Sequence, residues 1–378
     1  MLTLLVWIVL TFFRGSFWQL SAFAADEQPT APFAVWPGVV AIVPARNEAQ
    51  TIAQCLVSLV TQKYPGSLHI IVVDDHSEDG TGELARSAPQ PPNAVHNITV
   101  VQADALIPSW TGKLWALQKG VDAAATFTPE YFWFTDADIV HSPDTLLRLV
   151  TRAESQHLDL TSLMVLLHAQ TTPERLLIPA FLYFFLMLYP PNWIASRNAR
   201  TAGAAGGCVL LRDNALQRIG GLSTIRAEVI DDCALACAVK RTGGSIWMGL
   251  TRKSISLRAY RTFAEIRDLI ARTAFTELRY SRMLLLGAIL GMLVTYLLPV
   301  ILTFYPESSV WLISLAAWAL MTLTYLPTVR FYRLFPLWAL LLPIAALFYS
   351  YATVLSALRC WLGRGGLWKG RSQTPARL

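Results

Sequence analysis

Apolar positions along this chain follow two different rhythms. Between Trp36 and about Tyr260, short β-branched runs alternate with stretches of helical period. Val39–Val43, Ile70–Val73, Ile98–Gln102 and Tyr131–Thr135 are predicted strands, each a continuous apolar run of the kind that strands covered on both faces show. Strands separated by helical crossovers predict an α/β domain. Further on, Met283–Tyr305, Val310–Leu326 and Leu334–Leu358 carry no Asp, Glu, Lys or Arg, and each approaches the roughly 20 residues that span a bilayer core. Three spanning helices, or two and a hairpin, are expected. Pro343 divides the last run, so a re-entrant pair of short helices stays open there. The stretch Met1–Phe13 is apolar but short, and Arg14 interrupts it before Gly15–Ala25. A retained anchor is favoured over a signal peptide: Ala22-Phe23-Ala24 offers a cleavage site, but no basic residue precedes the apolar run. The expected plan is an anchor over 1–25, a Pro-rich linker over 26–37, an α/β domain over 38–260, an interfacial segment over 261–282, transmembrane helices over 283–360 and a basic tail over 361–378.

A hydrophobic share of 54% agrees with a chain partly in a bilayer, and the net charge of +6 does not imply nucleic acid. Arg330, Arg333, Arg359, Arg364, Lys369 and Arg371 flank the apolar runs, where positive charge favours the cytoplasmic side, while 306–309 carries only Glu307 and suits the outer face. A basic tail after an odd number of spans would lie outside, which favours Leu334–Leu358 turning back. The five cysteines form no CxxC pair and read as small core residues in a reducing compartment, not as a disulfide framework or zinc site.

Open α/β sheets bind ligands beyond the carboxyl ends of their strands. Three predicted strands end in polar clusters: Pro44-Ala45-Arg46-Asn47-Glu48, then Asp74-Asp75-His76-Ser77-Glu78-Asp79-Gly80-Thr81, then Asp136-Ala137-Asp138. Asp136 and Asp138 are spaced to turn two carboxylates toward one hard cation, which would hold a diphosphate. The plainer reading is an acidic turn, helped by Ser142-Pro143-Asp144 opening a helix. Asp74 and Asp75 are equally compatible with a solvated turn. Lys113 follows a glycine at the start of a helical pattern, where its charge and the helix N-terminus both suit phosphate. Asp231-Asp232 precedes the helical run Cys233–Arg241 and also reads as an N-cap.

The order Val-Pro-Ala-Arg-Asn-Glu, Val-Asp-Asp-x-Ser-x-Asp-Gly-Thr and Asp-Ala-Asp resembles glycosyltransferase family 2. The likeness continues through Gly112-Lys113-Leu114-Trp115-Ala116-Leu117, Gly206-Gly207-Cys208 and Ile230-Asp231-Asp232, so it covers most of Val39–Leu250. Within the family the chain is most similar to the hopene-associated members, through Arg14-Gly15-x-Phe17-Trp18, Asp231-Asp232-Cys233-Ala234-Leu235-Ala236 and Trp368-Lys369-Gly370-Arg371. The resemblance implies a GT-A fold, a Rossmann-like mixed sheet, and an inverting hexosyl transfer from a UDP-sugar with Mg²⁺ or Mn²⁺. It assigns Pro44, Arg46, Glu48 and Asp75 to the nucleoside, Lys113 and Asp136 to the donor phosphates, and Asp136 and Asp138 to the metal. Asp232 inherits the role of catalytic base; Asp231 replaces the more usual Glu. Thr276-Glu277-Leu278-Arg279-Tyr280 stands where many membrane members carry Gln-x-x-Arg-Trp, so Arg279 is a candidate for the diphosphate and processive synthesis is disfavoured. The implied acceptor is a polyisoprenoid or hopanoid lipid, with the protein in the cytoplasmic membrane and its catalytic domain facing the cytoplasm. Leu176–Pro190, apolar and aromatic, either lies flat on the membrane toward that acceptor or is a buried core helix. A processive polysaccharide synthase and a non-catalytic membrane scaffold are the competing readings.

Overall fold

The computed structural model describes residues 1–25, 35–88, 92, 94, 96–363, 367–368 and 371–372, the last two pairs by their backbone alone. Most of the 26–37 linker, Arg364, and the Lys369-Gly370 centre of the Trp368–Arg371 motif lie outside the described residues. The chain forms two compact units. One comprises Ala24–Leu167, Ile194–Arg258 and Trp368–Leu378; the other comprises Met1–Phe23, His168–Trp193 and Ala259–Leu367.

The first unit is built on an eight-stranded mixed sheet. Its strands are β1 (Val39–Ala45), β2 (Leu68–Asp74), β3 (Asn97–Gln102), β4 (Tyr131–Thr135), β5 (Ile139–His141), β6 (Leu160–Leu166), β7 (Cys208–Arg212) and β8 (Ile246–Ser256), in the order β3-β2-β1-β4-β7-β6-β8-β5. β3, β2, β1 and β4 are mutually parallel, while β7 runs against both β4 and β6. β1 and β4 are buried along their whole length, as their apolar runs require. β3 departs from that expectation: it forms the sheet edge, paired to β2 alone, and Asn97, Thr99 and Gln102 are exposed. Helices cover both faces. Ile52–Val60 and Thr145–Ser155 pack Cys55, Leu56, Leu59, Leu146, Leu149 and Val150 against Ala41, Val43, Ile70 and Val72. On the opposite face the Gly112–Ala124 helix approaches so closely that a Cβ on Gly120 would stand 2.3 Å from Ile42 Cγ2.

The second unit is helical. Among the described residues four helices are long and apolar enough to cross a membrane: Thr172–Ala195, Arg282–Leu302, Ser308–Phe331 and Pro336–Trp361. The last three match the three apolar runs read from the sequence, and the first contains the apolar, aromatic stretch Leu176–Pro190. Thr172–Leu188 begins with a Thr171–Glu174 capping box. It buries Leu177, Ile178, Leu182, Tyr183, Phe184 and Leu186, with Tyr183 Oη 2.8 Å from Thr324 Oγ1 and Tyr349 Oη 2.9 Å from the Leu177 carbonyl. Phe181 and Phe185 are only partly buried and Leu188 is exposed, but Tyr183 and Phe184 pack inward, so Leu176–Pro190 is mainly a core helix of this unit, and 168–193 leaves the domain expected over 38–260. Pro343 does not halve its helix. It sits in the first turn of Leu342–Trp361, where a missing N–H costs nothing. Pro299 does leave a carbonyl without its helical donor, that of Thr295 four residues earlier, and the buried Trp7 indole of the Leu2–Phe13 helix donates to it at 2.8 Å. A single π-turn, Leu293–Leu297, marks the spot. Phe275, at the end of the Phe263–Glu277 helix, packs with Ala357 and Cys360 of Leu342–Trp361.

Candidate active site

The strand order reverses direction between β1 and β4, and the carboxyl ends of these two strands line one pocket. Its floor is apolar: Leu114, Leu117, Phe134, Val209, Leu222, Ile225 and Leu235. Pro44 near the end of β1 and Gly206 also line it, and its polar side chains are few: Thr135 ends β4, Asp136 follows it, Lys113 sits in the first turn of a helix, and Asp231 and Asp232 complete the ring.

Lys113 stands at the centre. Its Nζ lies 3.0 Å from Asp136 Oδ1 and 3.3 Å from Asp231 Oδ2, with 18% of the side chain exposed. Burial lowers its pKa, but Asp136, Asp231 and Asp232 together raise it above the usual lysine value. Asp136 is raised by burial and by Asp138, against the pull of Lys113. Asp232 is pushed up to about 6, first by burial and then by Asp231, while Lys113 and two backbone N–H donors oppose the rise. Those donors are Gly206, 2.7 Å from Oδ2, and Cys233, 2.8 Å from Oδ1. Asp231 and Asp232 are the first two residues of the Asp231–Arg241 helix and Ile230 is its N-cap, so the capping role expected for the acidic pair is replaced by a place in the first turn, where the helix dipole favours carboxylates.

The first two motif loops are knitted to each other. Arg46 Nη1 donates to the carbonyls of Asp75 and His76 at 2.5 and 3.1 Å. The amides of Asn47, Glu48 and Ala49 donate to Ser77 Oγ, Thr81 Oγ1 and Asp79 Oδ2 at 3.1, 2.8 and 3.0 Å. The Asp-x-Ser-x-Asp-Gly-Thr pattern is therefore a scaffold for the first loop, with Gly80 at φ 86°, a left-handed conformation that suits glycine. Asp75 is fully buried at the end of β2.

Asp138 is turned another way from the pocket ring. Its Oδ2 accepts from Ser256 Oγ at 3.2 Å and from Arg258 Nε at 3.1 Å, and the same guanidinium reaches Glu48 Oε1 at 2.5 Å. Arg258 thus ties the first-strand loop to the acidic pair, a role sequence reasoning missed; its only signal is a basic residue just past the last long strand. Gly206, read from sequence as part of a motif, gains a definite task as a backbone donor to Asp232. Arg279 belongs to the helical unit, just past Phe263–Glu277, at φ 51°. Among the described residues no group of three or more His, Cys, Asp or Glu side chains forms a metal cage. Three carboxylates facing a single ammonium nevertheless leave a net negative, all-oxygen pocket. Such a donor set fits a hard cation that takes one or two protein carboxylates and completes its shell with phosphates.

A parallel half-sheet with an acidic pocket at its reversal point, extended by antiparallel strands, defines a GT-A-type nucleotide-diphospho-sugar transferase domain. Residues 40–220 match the sequence model of "Glycosyl transferase family 2". The solved mannosyltransferase PcManGT from Pyrobaculum calidifontis, in complex with GDP-Man and Mn2+, is similar in fold over 94% of this chain and 99% of its own, with a TM-score of 0.50 and 19% identity. Glycosyltransferase AglE of Haloferax volcanii is 34% identical over 92 residues, 24% of this chain and 29% of the relative. The 4,4'-diaponeurosporenoate glycosyltransferase of Staphylococcus aureus is 36% identical over 99 residues, 26% of this chain and 23% of the relative. An N-acetylglucosaminyltransferase of Mesorhizobium japonicum is 26% identical over 176 residues, 46% of this chain and 37% of the relative. In each case the chain spans well under half of the curated relative's length.

Proposed function

We propose that the chain is a membrane glycosyltransferase that transfers a sugar from a nucleotide diphosphate donor, a UDP-sugar, to a lipid acceptor with inversion at the anomeric carbon. The observation that carries the reading is the grouping of Asp136, Asp231 and Asp232 around Lys113 at the strand-reversal point of a family 2 domain. Asp232 is the general base. Its elevated pKa suits it to take the acceptor hydroxyl proton near neutral pH, and the N–H groups of Gly206 and Cys233 fix its orientation. Pro44, Arg46, Glu48 and Asp75 frame the nucleoside end, and Lys113 meets the donor phosphates. A divalent cation, Mg²⁺ or Mn²⁺, held through Asp136, and through Asp138 once the cation replaces Arg258 as its partner, would neutralise the leaving diphosphate. Asp231 holds the Lys113 ammonium in place.

Four helices long and apolar enough to span support residence in a membrane. The Staphylococcus aureus relative, named for glycosylating 4,4'-diaponeurosporenoate, a lipid-like molecule, supports a lipid acceptor, and a polyisoprenoid or hopanoid is the class we assign. The location we assign is the cytoplasmic membrane, with the α/β unit facing the cytoplasm, an orientation that the arginines flanking the apolar runs support.

The deciding experiment incubates membranes containing the protein with radiolabelled sugar nucleotides and extracts the lipids. One labelled lipid of single-sugar product length, lost in Asp138→Asn and Asp232→Asn, supports the reading. A long polymer would indicate a processive synthase, and no donor turnover at all a non-catalytic scaffold.

A further inference from the structure

Three buried polar side chains form a relay that runs from the pocket wall, where Thr135 lines it, into the sheet behind. Thr135, the last residue of β4, is 1% exposed; His141 on β5 is 3% exposed and Ser254 on β8 is 0% exposed. Thr135 Oγ1 lies 3.0 Å from the Gly207 carbonyl and 2.8 Å from His141 Nε2, and His141 Nδ1 lies 2.9 Å from Ser254 Oγ. The proton positions follow from what each atom can do. A carbonyl only accepts, so the Thr135 hydroxyl proton goes to Gly207 and its oxygen must accept from His141 Nε2–H. Nδ1 then carries a lone pair and accepts from the Ser254 hydroxyl. The ring is neutral, since burial pushes its pKa down to about 3, and it packs 4.7 Å from the Trp133 ring.

The relay ends where the pocket begins. Asp136 follows Thr135 in the chain, and Gly206, whose N–H holds Asp232 Oδ2 at 2.7 Å, precedes Gly207. The Thr135–Gly207 bond also continues the β4–β7 ladder one step past its last pair, Thr135 with Cys208. Resting on the transferase reading above, we propose that Thr135 is a positioning residue: its hydroxyl, oriented by His141 and Ser254, locks the strand end carrying Asp136 to the glycine turn that aims Asp232. The donor side and the base side of the pocket are thereby held at a fixed spacing, which a displacement reaction needs and a donor-binding site alone does not.

The test compares Thr135→Val, which keeps shape and removes the hydroxyl, with Thr135→Ser, which keeps the hydroxyl. His141→Asn and His141→Gln form the second pair, since only glutamine places an amide N–H near the Nε2 position. Backbone hydrogen exchange read by mass spectrometry should rise about 10-fold over 203–208 in Thr135→Val and His141→Asn, as expected for the loss of one or two net hydrogen bonds. Exchange in β1 to β3 should stay as in the wild type. Donor turnover to lipid should fall about 10-fold in kcat in the same two variants, with donor KM within about twofold. Thr135→Ser and His141→Gln should recover most of both losses. The lock is overturned if exchange over 203–208 is unchanged in Thr135→Val, if Thr135→Ser loses as much as Thr135→Val, or if KM rises while kcat holds. A wild type that turns over no donor would refute the transferase reading alone, because the exchange measurement still decides the lock.

Discussion

Replacing Asp232 by asparagine should cost activity and change how stability depends on pH. In the folded protein this carboxyl titrates near 6 rather than at its ordinary 3.8. At about 1.4 kcal/mol per pH unit that difference is about 3 kcal/mol, and because the side chain is partly exposed, solvent screening brings it to about 1–2 kcal/mol. The direction follows from proton counting. Between about pH 4 and 6 the folded state holds a proton that the unfolded state has already lost, so stability declines as pH rises through that window and levels off above it. The asparagine variant lacks this slope. Its own penalty, an amide NH₂ facing one of the two N–H donors from Gly206 and Cys233, is about 1 kcal/mol and does not vary with pH. Unfolding of purified wild type and variant in detergent with EDTA, from about pH 4 to about pH 8, should show wild-type stability falling relative to Asp232→Asn by about 1–2 kcal/mol. In the same variant kcat should drop at least about 100-fold with donor affinity retained. A difference curve that is flat or rises with pH would refute the burial argument, and a loss of donor affinity would place Asp232 in the donor site instead.

Lys113→Met keeps the side-chain stem and leaves Asp136 and Asp231 without their ammonium. Breaking a buried ion pair costs about 3–5 kcal/mol; with 36% of the Asp136 side chain exposed, about 2 kcal/mol is expected near neutral pH. That loss should shrink toward pH 4, because Asp136 and Asp232, already raised by burial and raised further without the ammonium, regain protons; thermal unfolding at both pH values checks it. Gly120→Ala brings a Cβ within 2.3 Å of Ile42 Cγ2 and should destabilise by about 1–3 kcal/mol while raising donor KM, since the same helix carries Lys113. In the helical unit, Glu174 is fully buried and accepts from the amides of Gln170, Thr171 and Tyr260 at 3.0, 2.9 and 2.8 Å. Glu174→Gln, which swaps one acceptor oxygen for a donor, should cost about 2–4 kcal/mol, read as a lowered unfolding midpoint.

The strands β1, β2 and β4 were legible in the sequence because strands with both faces covered have to be apolar throughout, and that is a local property of the chain. The same holds for the polar residues that end them: in a parallel sheet the strand ends share one edge, so Pro44 and Asp136 meet without any knowledge of packing. Asp232 was legible through its motif rather than its surroundings. What no local pattern contains is which charge ends up against which. Lys113 reads as a phosphate ligand beside a helix N-terminus, yet the fold sets it among carboxylates from elements far apart in sequence. Arg258 is one of many arginines until β8 brings it between Glu48 and Asp138. The Thr172–Leu188 helix shows the same limit in apolar form. Its aromatic residues fit a membrane surface and a protein core equally well, because composition records only that a side chain avoids water. Packing of Tyr183 against Thr324 and of Phe184 against Tyr349 made it core. Burial, charge pairing and pKa are properties of what surrounds a residue in space, and those surroundings exist only once distant segments have folded together.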